Sequence, residues 1–276
     1  MSDKDASCVF CGGTNVLVKK FDARPNGETD FGIDPYRRSL WQCAWCAHVV
    51  NRFSTGQEAT LYDGAYASAT YGDEMREAFH KIMSLPVEQS DNRQRIARIN
   101  AFADLMGWDG ERTCLDIGSG IGVFPAAMRE ASWSCTALDP DPKATSMIGE
   151  LAEVSTVTGD FMTVDPPGTY RLVSLNKVLE HVREPVAMLA RTIDFLSPGG
   201  AVYVELPDGE GALADAGPDR EEFFIEHFDA YSAASVALLI RAAGFYILSV
   251  ERVREASGKY TLRAFATPGW KRQWPR

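Results

Sequence analysis

Residues 113–124 read Thr-Cys-Leu-Asp-Ile-Gly-Ser-Gly-Ile-Gly-Val-Phe, an apolar run followed by glycines at every second position. This pattern predicts a buried parallel strand and a tight turn into a helix. Glycine permits backbone dihedrals that other residues avoid, and it lets a ligand approach bare main chain. The following helix, residues 123–131, would direct its N-terminal N–H groups at that ligand.

The glycine spacing distinguishes between two kinds of nucleotide-binding loop. A dinucleotide fingerprint has glycine at its first, third and sixth positions, and the sixth position counted from Gly118 is Val123. The loop instead reads Gly-x-Gly-x-Gly, with Asp116 two residues before its first glycine. A glycine-rich turn in some other α/β protein is the alternative that this loop alone leaves open.

Length and composition limit the class of protein. The 276 residues suffice for one large domain or for one domain and a small module. No apolar run reaches the roughly 18 residues of a membrane span, and the polar N-terminus does not resemble a signal peptide. We therefore expect a cytoplasmic protein with no membrane partner. The net charge of −10 and the lack of a long basic block argue against nucleic acid as a partner.

Two Cys-x-x-Cys pairs near the N-terminus predict a small metal-binding module. The predicted ligands are Cys8, Cys11, Cys43 and Cys46. Four thiolates complete a tetrahedral Zn²⁺ site and leave no open coordination position, so we expect a structural zinc ion. The long gap between the pairs implies an insertion, around residues 23–35. The alternatives are redox-active or free cysteines, and His48 as a replacement ligand.

A tyrosine-rich segment, residues 61–72, follows the module. Its tyrosines are candidates for binding the acceptor, because each offers an aromatic face and a hydroxyl. These candidates are Tyr62, Tyr66 and Tyr71. A linker that packs its aromatic rings onto the next domain is an equally good interpretation. An amphipathic helix from Ser90 to about Gly107 then leads into the first strand.

Strand and helix patterns alternate after the glycine loop. The second strand, residues 134–138, ends at Asp139-Pro140, about 20 residues past the glycine loop, where an acid suits bidentate hydrogen bonding to ribose hydroxyls. The alternative for Asp139 is a cap on the next turn. The third strand, residues 154–158, is followed by Gly159-Asp160-Phe161.

The later strands carry further recognisable segments. The fourth, residues 171–175, runs into Asn176-Lys177-Val178-Leu179-Glu180-His181-Val182, and Pro198-Gly199-Gly200 makes the turn before the fifth. Residues 208–219 are rich in Gly, Ala and Asp, and we expect a mobile lid there. The last two strands, residues 246–253 and 260–266, are joined by so short a link that they should be antiparallel.

In this order and spacing, residues 90–268 resemble a complete class I S-adenosylmethionine-dependent methyltransferase domain. The resemblance implies an α/β fold: a Rossmann-like seven-stranded sheet with an antiparallel last strand. The predicted organisation is a zinc-binding module at 1–60, a tyrosine-rich linker and helix at 61–89, and the methyltransferase domain at 90–276.

The resemblance also implies how the cofactor binds. In this family the glycine loop runs beside the methionine part of the cofactor, an Asp like Asp160 bonds the adenine amino group, and an apolar neighbour like Phe161 packs on the ring. The cofactor-binding residues so implied are Asp116, Gly118, Ser119, Gly120, Gly122, Phe124, Asp139, Pro140, Asp160, Phe161, Asn176 and Lys177.

With its four-cysteine module, the chain is similar to zinc-containing sugar C-methyltransferases that act on nucleotide-linked deoxysugars. Those enzymes carry a further C-terminal domain for which we expect no counterpart in this sequence, so methylation at carbon, oxygen or nitrogen stays open. The implied acceptor is a small molecule, first of all a sugar or sugar nucleotide. The alternatives are a natural product, a glycan end or a protein as acceptor, and a cofactor-binding regulatory protein without catalysis. Nothing in the sequence fixes the oligomeric state.

The predicted catalytic residues are histidines and a neighbouring acid. Methyl transfer from a sulfonium requires orientation and exclusion of water, and many acceptors also need a base. A histidine can accept that proton near neutral pH, and the candidates are His181 and His227. In the sugar methyltransferases the base comes from the loop after strand five, which favours His227, with Glu226 contacting substrate or tuning the imidazole. For both histidines the alternative is a structural role.

Overall fold

The computed structural model of the chain describes residues 7–53, 74–108, 110 and 112–268. The four-cysteine module contains three antiparallel strands, β1 (Asn15–Phe21), β2 (Arg38–Cys43) and β3 (Val49–Phe53). A fourth strand, β9 (Asp229–Ala230), joins this sheet from the C-terminal half of the chain, in the order β1-β2-β3-β9. The two halves of the sequence therefore share one sheet.

A seven-stranded sheet forms the main body. Its strands are β4 (Thr113–Ile117), β5 (Ser134–Asp139), β6 (Ser155–Thr158), β7 (Tyr170–Asn176), β8 (Leu196–Pro207), β10 (Phe245–Arg254) and β11 (Tyr260–Pro268). They lie in the order β10-β11-β8-β7-β4-β5-β6, and only β11 runs against its neighbours. The predicted Rossmann-like sheet with an antiparallel last strand is confirmed.

Helices cover this sheet or cap its edge. They are α1 (Met75–Met83), α2 (Asp91–Leu105), α3 (Val123–Glu130), α4 (Pro142–Leu151), α5 (Pro185–Arg191), α6 (Gly209–Ala216) and α7 (Ala233–Ala242). Short 3₁₀ helices span Val87–Gln89, Leu179–His181, Thr192–Phe195 and Glu221–Phe223. Ser90 and Ser232 cap α2 and α7, because each side chain accepts a main-chain N–H three residues on. No helix in the described ranges has the length and apolarity to cross a bilayer.

The apolar core lies on both faces of the central strands. One face packs against α5 and α7 through residues such as Leu189 and Leu239. The other packs against α2 and α3, where the rings of Phe102 and Phe265 stack with centroids 3.8 Å apart. Because β4, β7 and β8 are covered on both faces, they consist mainly of apolar residues, as central strands do.

The sheet order reverses beside β4, which pairs with β5 on one side and β7 on the other. The carboxyl edge at such a reversal is where open α/β sheets bind ligands. The glycine loop leaves β4 at this edge, so the topology places it at the mouth of the crevice.

Residues 208–219 differ from expectation. The predicted mobile lid is wrong in its secondary structure, because α6 fills most of this segment and the Asp208 carboxylate accepts the Gly211 N–H at 3.0 Å. The small residues permit close packing: a Cβ on Gly209 would lie 2.8 Å from Ala230 Cβ in β9. A composition that we interpreted as mobile instead lets a short helix sit tightly against the shared sheet.

Candidate active site

The three glycines of the loop have φ between 55° and 82°, which favours glycine. A Cβ would lie 2.8 Å from a side-chain carbon of Val178 if added to Gly118, and equally close to Ile148 if added to Gly122. A Cβ on Gly120 would meet no atom within 4 Å. The outer glycines therefore permit tight packing, and Gly120 faces open space in which a ligand can approach the main chain.

Asp116 and Ser119 support the loop from beneath. The Asp116 side chain is buried in β4, and its Oδ1 accepts the Ser174 hydroxyl of β7 at 2.7 Å. Burial raises the pKa of Asp116 to about 7, against the opposing effect of the Ser174 hydrogen bond. Ser119 Oγ donates to the Asp116 carbonyl at 3.0 Å. Phe124 is also buried, in the core beneath α3.

Asp139 stands at the end of β5 and faces the glycine loop. Its Oδ2 accepts the Gly120 N–H and its Oδ1 accepts the Asp141 N–H, each at 3.0 Å. Asp139 thus caps the turn that begins with exposed Pro140, and the same carboxylate reaches the glycine loop. Burial raises its pKa. A carboxylate oxygen with one N–H bond keeps a lone pair that can accept a hydroxyl.

The segment after β6 holds Asp160 and Phe161, whose predicted contacts with the adenine stay predictions. Asp160 Oδ1 accepts the Met162 N–H at 2.9 Å and is exposed. The Phe161 ring is only 3% exposed and lies 5.0 Å from the Phe195 ring in the core, so its faces are covered. Met162 is 41% exposed and is the apolar side chain that this turn presents outward. The sequence analysis did not single out Met162, because periodicity does not show which residue of a turn is exposed.

Lys177 points into a buried charge network rather than into open space. Its φ is 60°, and its Nζ donates to Thr261 Oγ1 at 2.5 Å and lies 3.9 Å from carboxylate oxygens of Glu205 and Glu255. Burial acts to raise the pKa of Glu205, but the Arg95 guanidinium, bound at 2.5 and 2.7 Å, holds it well below its ordinary range. These contacts hold the Lys177 side chain within the charge network.

Asn176 stands at the end of β7, beside Lys177. Its Oδ1 is buried and has no hydrogen-bond partner among the described residues. Buried amide oxygens are rarely left without a partner. Asn176 is therefore the residue of the predicted pair whose acceptor a ligand could use.

The two predicted catalytic histidines come together from separate loops. Their rings are 4.8 Å apart between centroids and inclined at 69°. His181 Nδ1 lies 2.9 Å from the Glu226 carbonyl oxygen, and His227 Nδ1 lies 3.0 Å from that of Glu222. A carbonyl only accepts hydrogen bonds, so we assign the ring proton to Nδ1 and leave each Nε2 as an acceptor.

The charge state of this pair follows from burial. Burial lowers the pKa of His181 to about 4 and that of His227 well below its ordinary value, with the neighbouring His181 adding to the second shift. Burial also raises the pKa of Glu226 to about 7. At neutral pH both imidazoles are therefore uncharged and able to accept a proton.

Glu180 completes the cluster, and sequence reasoning quoted it only as part of a motif. It is 1% exposed, and neither carboxylate oxygen has a hydrogen-bond partner among the described residues. Burial raises its pKa to about 8. One acceptor atom each of Glu180, His181 and His227 lies within 4.8 Å of the other two. A buried carboxyl without a partner is rare, so this convergence marks a place for a ligand with hydrogen-bond donors.

A cavity of about 390 Å³ borders the histidine loops on the side of the four-cysteine module. Phe10, Arg183 and Phe228 are among the residues that line it. The Arg183 guanidinium carbon lies 4.8 Å from the centroid of the Phe228 ring. An aromatic ring beside a guanidinium can stack on a flat or sugar surface and attract an anionic group.

The four predicted metal ligands converge at one point. Their Sγ atoms lie within 4.8 Å of one another, and none forms a disulfide. Burial acts to raise the pKa of Cys43, but N–H groups of Cys46 and Trp45 lower it to about 7. This donor set fits Zn²⁺. His48, the alternative ligand, instead bonds Asp229 Oδ1 through Nε2 at 2.9 Å.

The predicted acceptor-binding tyrosines, Tyr62, Tyr66 and Tyr71, lie outside the described residues. Their role stays a prediction. The proposed cofactor contacts and the division into domains at 60 and 90 likewise stay predictions.

Comparison with known proteins places the chain among methyltransferases. A family model described as "Methyltransferase domain" matches residues 75–250. A ubiquinone biosynthesis O-methyltransferase of Pseudomonas paraeruginosa (strain DSM 24068 / PA7) is 28% identical over 114 residues, 39% of this chain and 49% of that protein. The same enzyme of Paraburkholderia xenovorans (strain LB400) is 30% identical over 119 residues, 41% of this chain and 50% of that protein. The chain spans about half the length of the curated relatives it matches.

Solved structures with the same fold include two methyltransferases. Magnesium protoporphyrin IX methyltransferase of Synechocystis PCC 6803, with bound SAH, has a TM-score of 0.56 and 16% identity, covering 73% of this chain and 96% of that one. The 1,6-didemethyltoxoflavin-N1-methyltransferase of Burkholderia thailandensis has a TM-score of 0.55 and 18% identity, covering 88% and 98%. At these identities the similarity establishes the fold alone.

Proposed function

The chain belongs to the methyltransferase domain family, and from this premise we propose that it transfers the methyl group of S-adenosylmethionine to a small-molecule acceptor. The observation that carries the proposal is the meeting of Gly120 and Asp139 at the carboxyl edge of the sheet, with 3.0 Å between the Gly120 nitrogen and Asp139 Oδ2. Bare main chain and a carboxylate are thus brought together at the switch point, as nucleoside binding requires.

The residues at this edge fit the cofactor. Gly120 leaves room for the methionine part, and Asp139 keeps lone pairs for the ribose hydroxyls. We assign the adenine end to Asp160 and to exposed Met162, in place of the buried Phe161. When bound, S-adenosylmethionine supplies an electrophilic methyl group, so the protein has to bind, orient and keep water out.

We assign the base to His227, supported by His181 and Glu226. The protein would have to hold the nucleophilic atom of the acceptor in line with that methyl group while its proton is removed. The acceptor proton passes to His227 Nε2, which the Nδ1 bond to Glu222 leaves as the accepting nitrogen. Glu226 supports the pair through its main-chain carbonyl, which accepts the His181 Nδ1 proton at 2.9 Å.

For the acceptor we propose a sugar or a nucleotide-linked sugar, methylated at carbon, oxygen or nitrogen. Support comes from the four-cysteine module and from the cavity in which Arg183 and Phe228 lie side by side. A guanidinium suits a phosphate group and an aromatic ring suits a flat or sugar surface. The runner-up acceptor is a natural product, because the chain's relatives include ubiquinone biosynthesis enzymes. Zn²⁺ held by the four cysteines and a cytoplasmic location belong to the same proposal.

The test is turnover with isotope-labelled S-adenosylmethionine and a panel of sugar nucleotides and aromatic natural products, read by mass spectrometry. Label in a sugar nucleotide supports the proposal, and label only in an aromatic acceptor selects the runner-up. Calorimetry with S-adenosylhomocysteine separates binding from chemistry. Absence of binding heat would contradict the cofactor assignment, whereas binding without turnover on any acceptor would favour a regulatory cofactor-binding protein.

A further inference from the structure

The loop that carries His227 is built onto the four-cysteine module. Val49 and Val50 of β3 pair with Ala230 and Asp229 of β9. The next residue of β3, Asn51, donates its main-chain N–H to the Phe228 carbonyl at 2.9 Å. The backbone on the C-terminal side of His227 is therefore fixed by a strand of the module.

The Asn51 side chain extends this attachment to the whole loop. Its Nδ2 lies 2.7 Å from the His227 carbonyl oxygen, 3.1 Å from that of Phe223 and 3.3 Å from that of Phe224. Asn51 is only 7% exposed. The loop is thus wrapped around a single buried amide, and each carbonyl would lack this donor if the amide were removed.

The orientation of that amide is determined by its other neighbour. Asn51 Oδ1 accepts Arg38 Nη1 at 2.7 Å, and Arg38 Nη2 lies 3.2 Å from Glu28 Oε1. Glu28 Oε1 also accepts the Ile225 N–H at 2.6 Å. An arginine only donates and a carbonyl only accepts, so a side chain between them needs one acceptor and one donor at this length. Asparagine meets that requirement.

We propose that Asn51 is a positioning residue for His227: a strand of the module, which also lines the cavity assigned to the acceptor, sets the loop that carries the base. Three carbonyls held on one amide set the loop so that the imidazole keeps its Nδ1 bond to Glu222 and its contact with His181. The catalytic meaning of this inference rests on the proposed function. The positioning itself can be measured without turnover.

The variant Asn51→Asp replaces the donor with a carboxylate that faces three carbonyls, so the loop should open. Water and the new negative charge then both favour protonation of His227. The charged or titratable side chains already around that imidazole are Glu180, His181, Lys177 and Lys259. We expect the His227 imidazole to titrate about one pH unit or more above the wild-type position, and kcat/KM to fall roughly 10- to 100-fold.

The matched control is Asn100→Asp in α2. Asn100 Oδ1 accepts Trp133 Nε1 at 2.8 Å and Arg112 Nη1 at 3.4 Å. A carboxylate at position 100 can accept both of those hydrogen bonds. The position is far in sequence from the loop that carries His227. A second variant, Asn51→Ser, shortens the side chain without adding charge and covers the case in which Asn51→Asp does not fold.

The experiment follows the ring protons of the four histidines by NMR across a pH titration of wild type, Asn51→Asp, Asn51→Ser and Asn100→Asp. Calorimetry with S-adenosylhomocysteine and kcat/KM–pH profiles complete it. The expected result is an upward shift of His227, and of the acid limb of kcat/KM, in the Asn51 variants only, with cofactor affinity unchanged. An unchanged His227 titration in a folded Asn51 variant overturns the inference. If the wild type shows no turnover while the Asn51 variants show the NMR shift of His227, only the proposed function is overturned.

Discussion

His181 and His227 stand edge to face with their ring centroids 4.8 Å apart, although 45 residues, 182–226, lie between them in the sequence. Each imidazole holds its Nδ1 proton on a main-chain carbonyl, of Glu226 and Glu222 respectively. Both rings therefore keep an unprotonated Nε2, and both are partly buried. Two uncharged imidazoles are better suited to accepting a proton than to stabilising a negative charge.

Replacing the assigned base should stop chemistry and spare binding. We expect His227→Asn to lower kcat by about 10²- to 10⁴-fold, the range typical of a lost general base. Turnover assays measure the loss of chemistry, and calorimetry with S-adenosylhomocysteine measures cofactor binding separately. The control is His80→Asn on the exposed face of α1, which should behave as wild type. A His227→Asn protein with near-normal kcat would remove this residue from the mechanism.

Glu180 should make stability fall as pH rises. Burial raises its folded pKa from 4.5 to about 8, so above pH 4.5 the unfolded state releases a proton that the folded state retains. This destabilisation grows between pH 4.5 and 8, to roughly 5 kcal/mol at about 1.4 kcal/mol per pKa unit.

The variant Glu180→Gln removes that pH dependence. We therefore expect it to be close to wild type in stability at pH 5 and more stable by a few kcal/mol at pH 8, measured by urea unfolding across that range. Glu88→Gln, at an exposed position, is the control and should show no such trend. A constant difference between wild type and Glu180→Gln at all pH values would mean that Glu180 titrates normally.

The glycine loop offers a comparison of two alanines with equal backbone strain. Gly120 and Gly107 have φ of 55° and 66°, and an added Cβ meets no atom within 4 Å at either position. Each substitution should cost about 1–2 kcal/mol of stability, because a left-handed conformation is unfavourable for alanine. Only Gly120→Ala should also weaken S-adenosylhomocysteine binding, since its methyl group enters the crevice. Equal affinities in calorimetry would contradict the position assigned to the cofactor.

Metal should be bound by the four cysteines and should stabilise the junction with the histidine loop. We expect about one zinc per chain by mass spectrometry, its loss in Cys11→Ser, and a lower melting temperature after treatment with a strong chelator. The effect should reach the loop, because the Cys46 carbonyl accepts the Ser232 hydroxyl and His48 bonds Asp229. Cys135→Ser, in buried β5, is the control that should keep its zinc. A protein purified with no metal and insensitive to chelators would contradict this assignment.

The sheet could be predicted from sequence because its signals are local. Apolar runs bounded by Gly and Pro mark each central strand, and the link at Ser257-Gly258 is too short for a parallel crossover. Local signals do not reveal features that depend on residues distant in sequence. Phe161 is buried because Phe195 lies against it, and α6 is ordered because β9 lies close to Gly209.

The candidate site could be predicted in part. The sequence identifies both histidines as candidates. It does not predict that their rings are in contact, because the contact joins two loops that are far apart in sequence. Asn51 looks like an ordinary polar residue of a strand, and only its distance to the His227 carbonyl reveals what it holds. Glu180 was noted for its motif, whereas the lack of a hydrogen-bond partner for its carboxylate is visible only in three dimensions.

The pairing of β3 with β9 has a consequence for biosynthesis and for protein engineering. The N-terminal sheet gains its last strand, β9, only after residue 230 has left the ribosome. The edge strand β3 therefore lacks this partner while most of the chain is synthesised. A fragment that ends near residue 60 would keep that edge bare and should self-associate on expression. Grafting this module onto another enzyme would therefore require carrying the β9 segment with it.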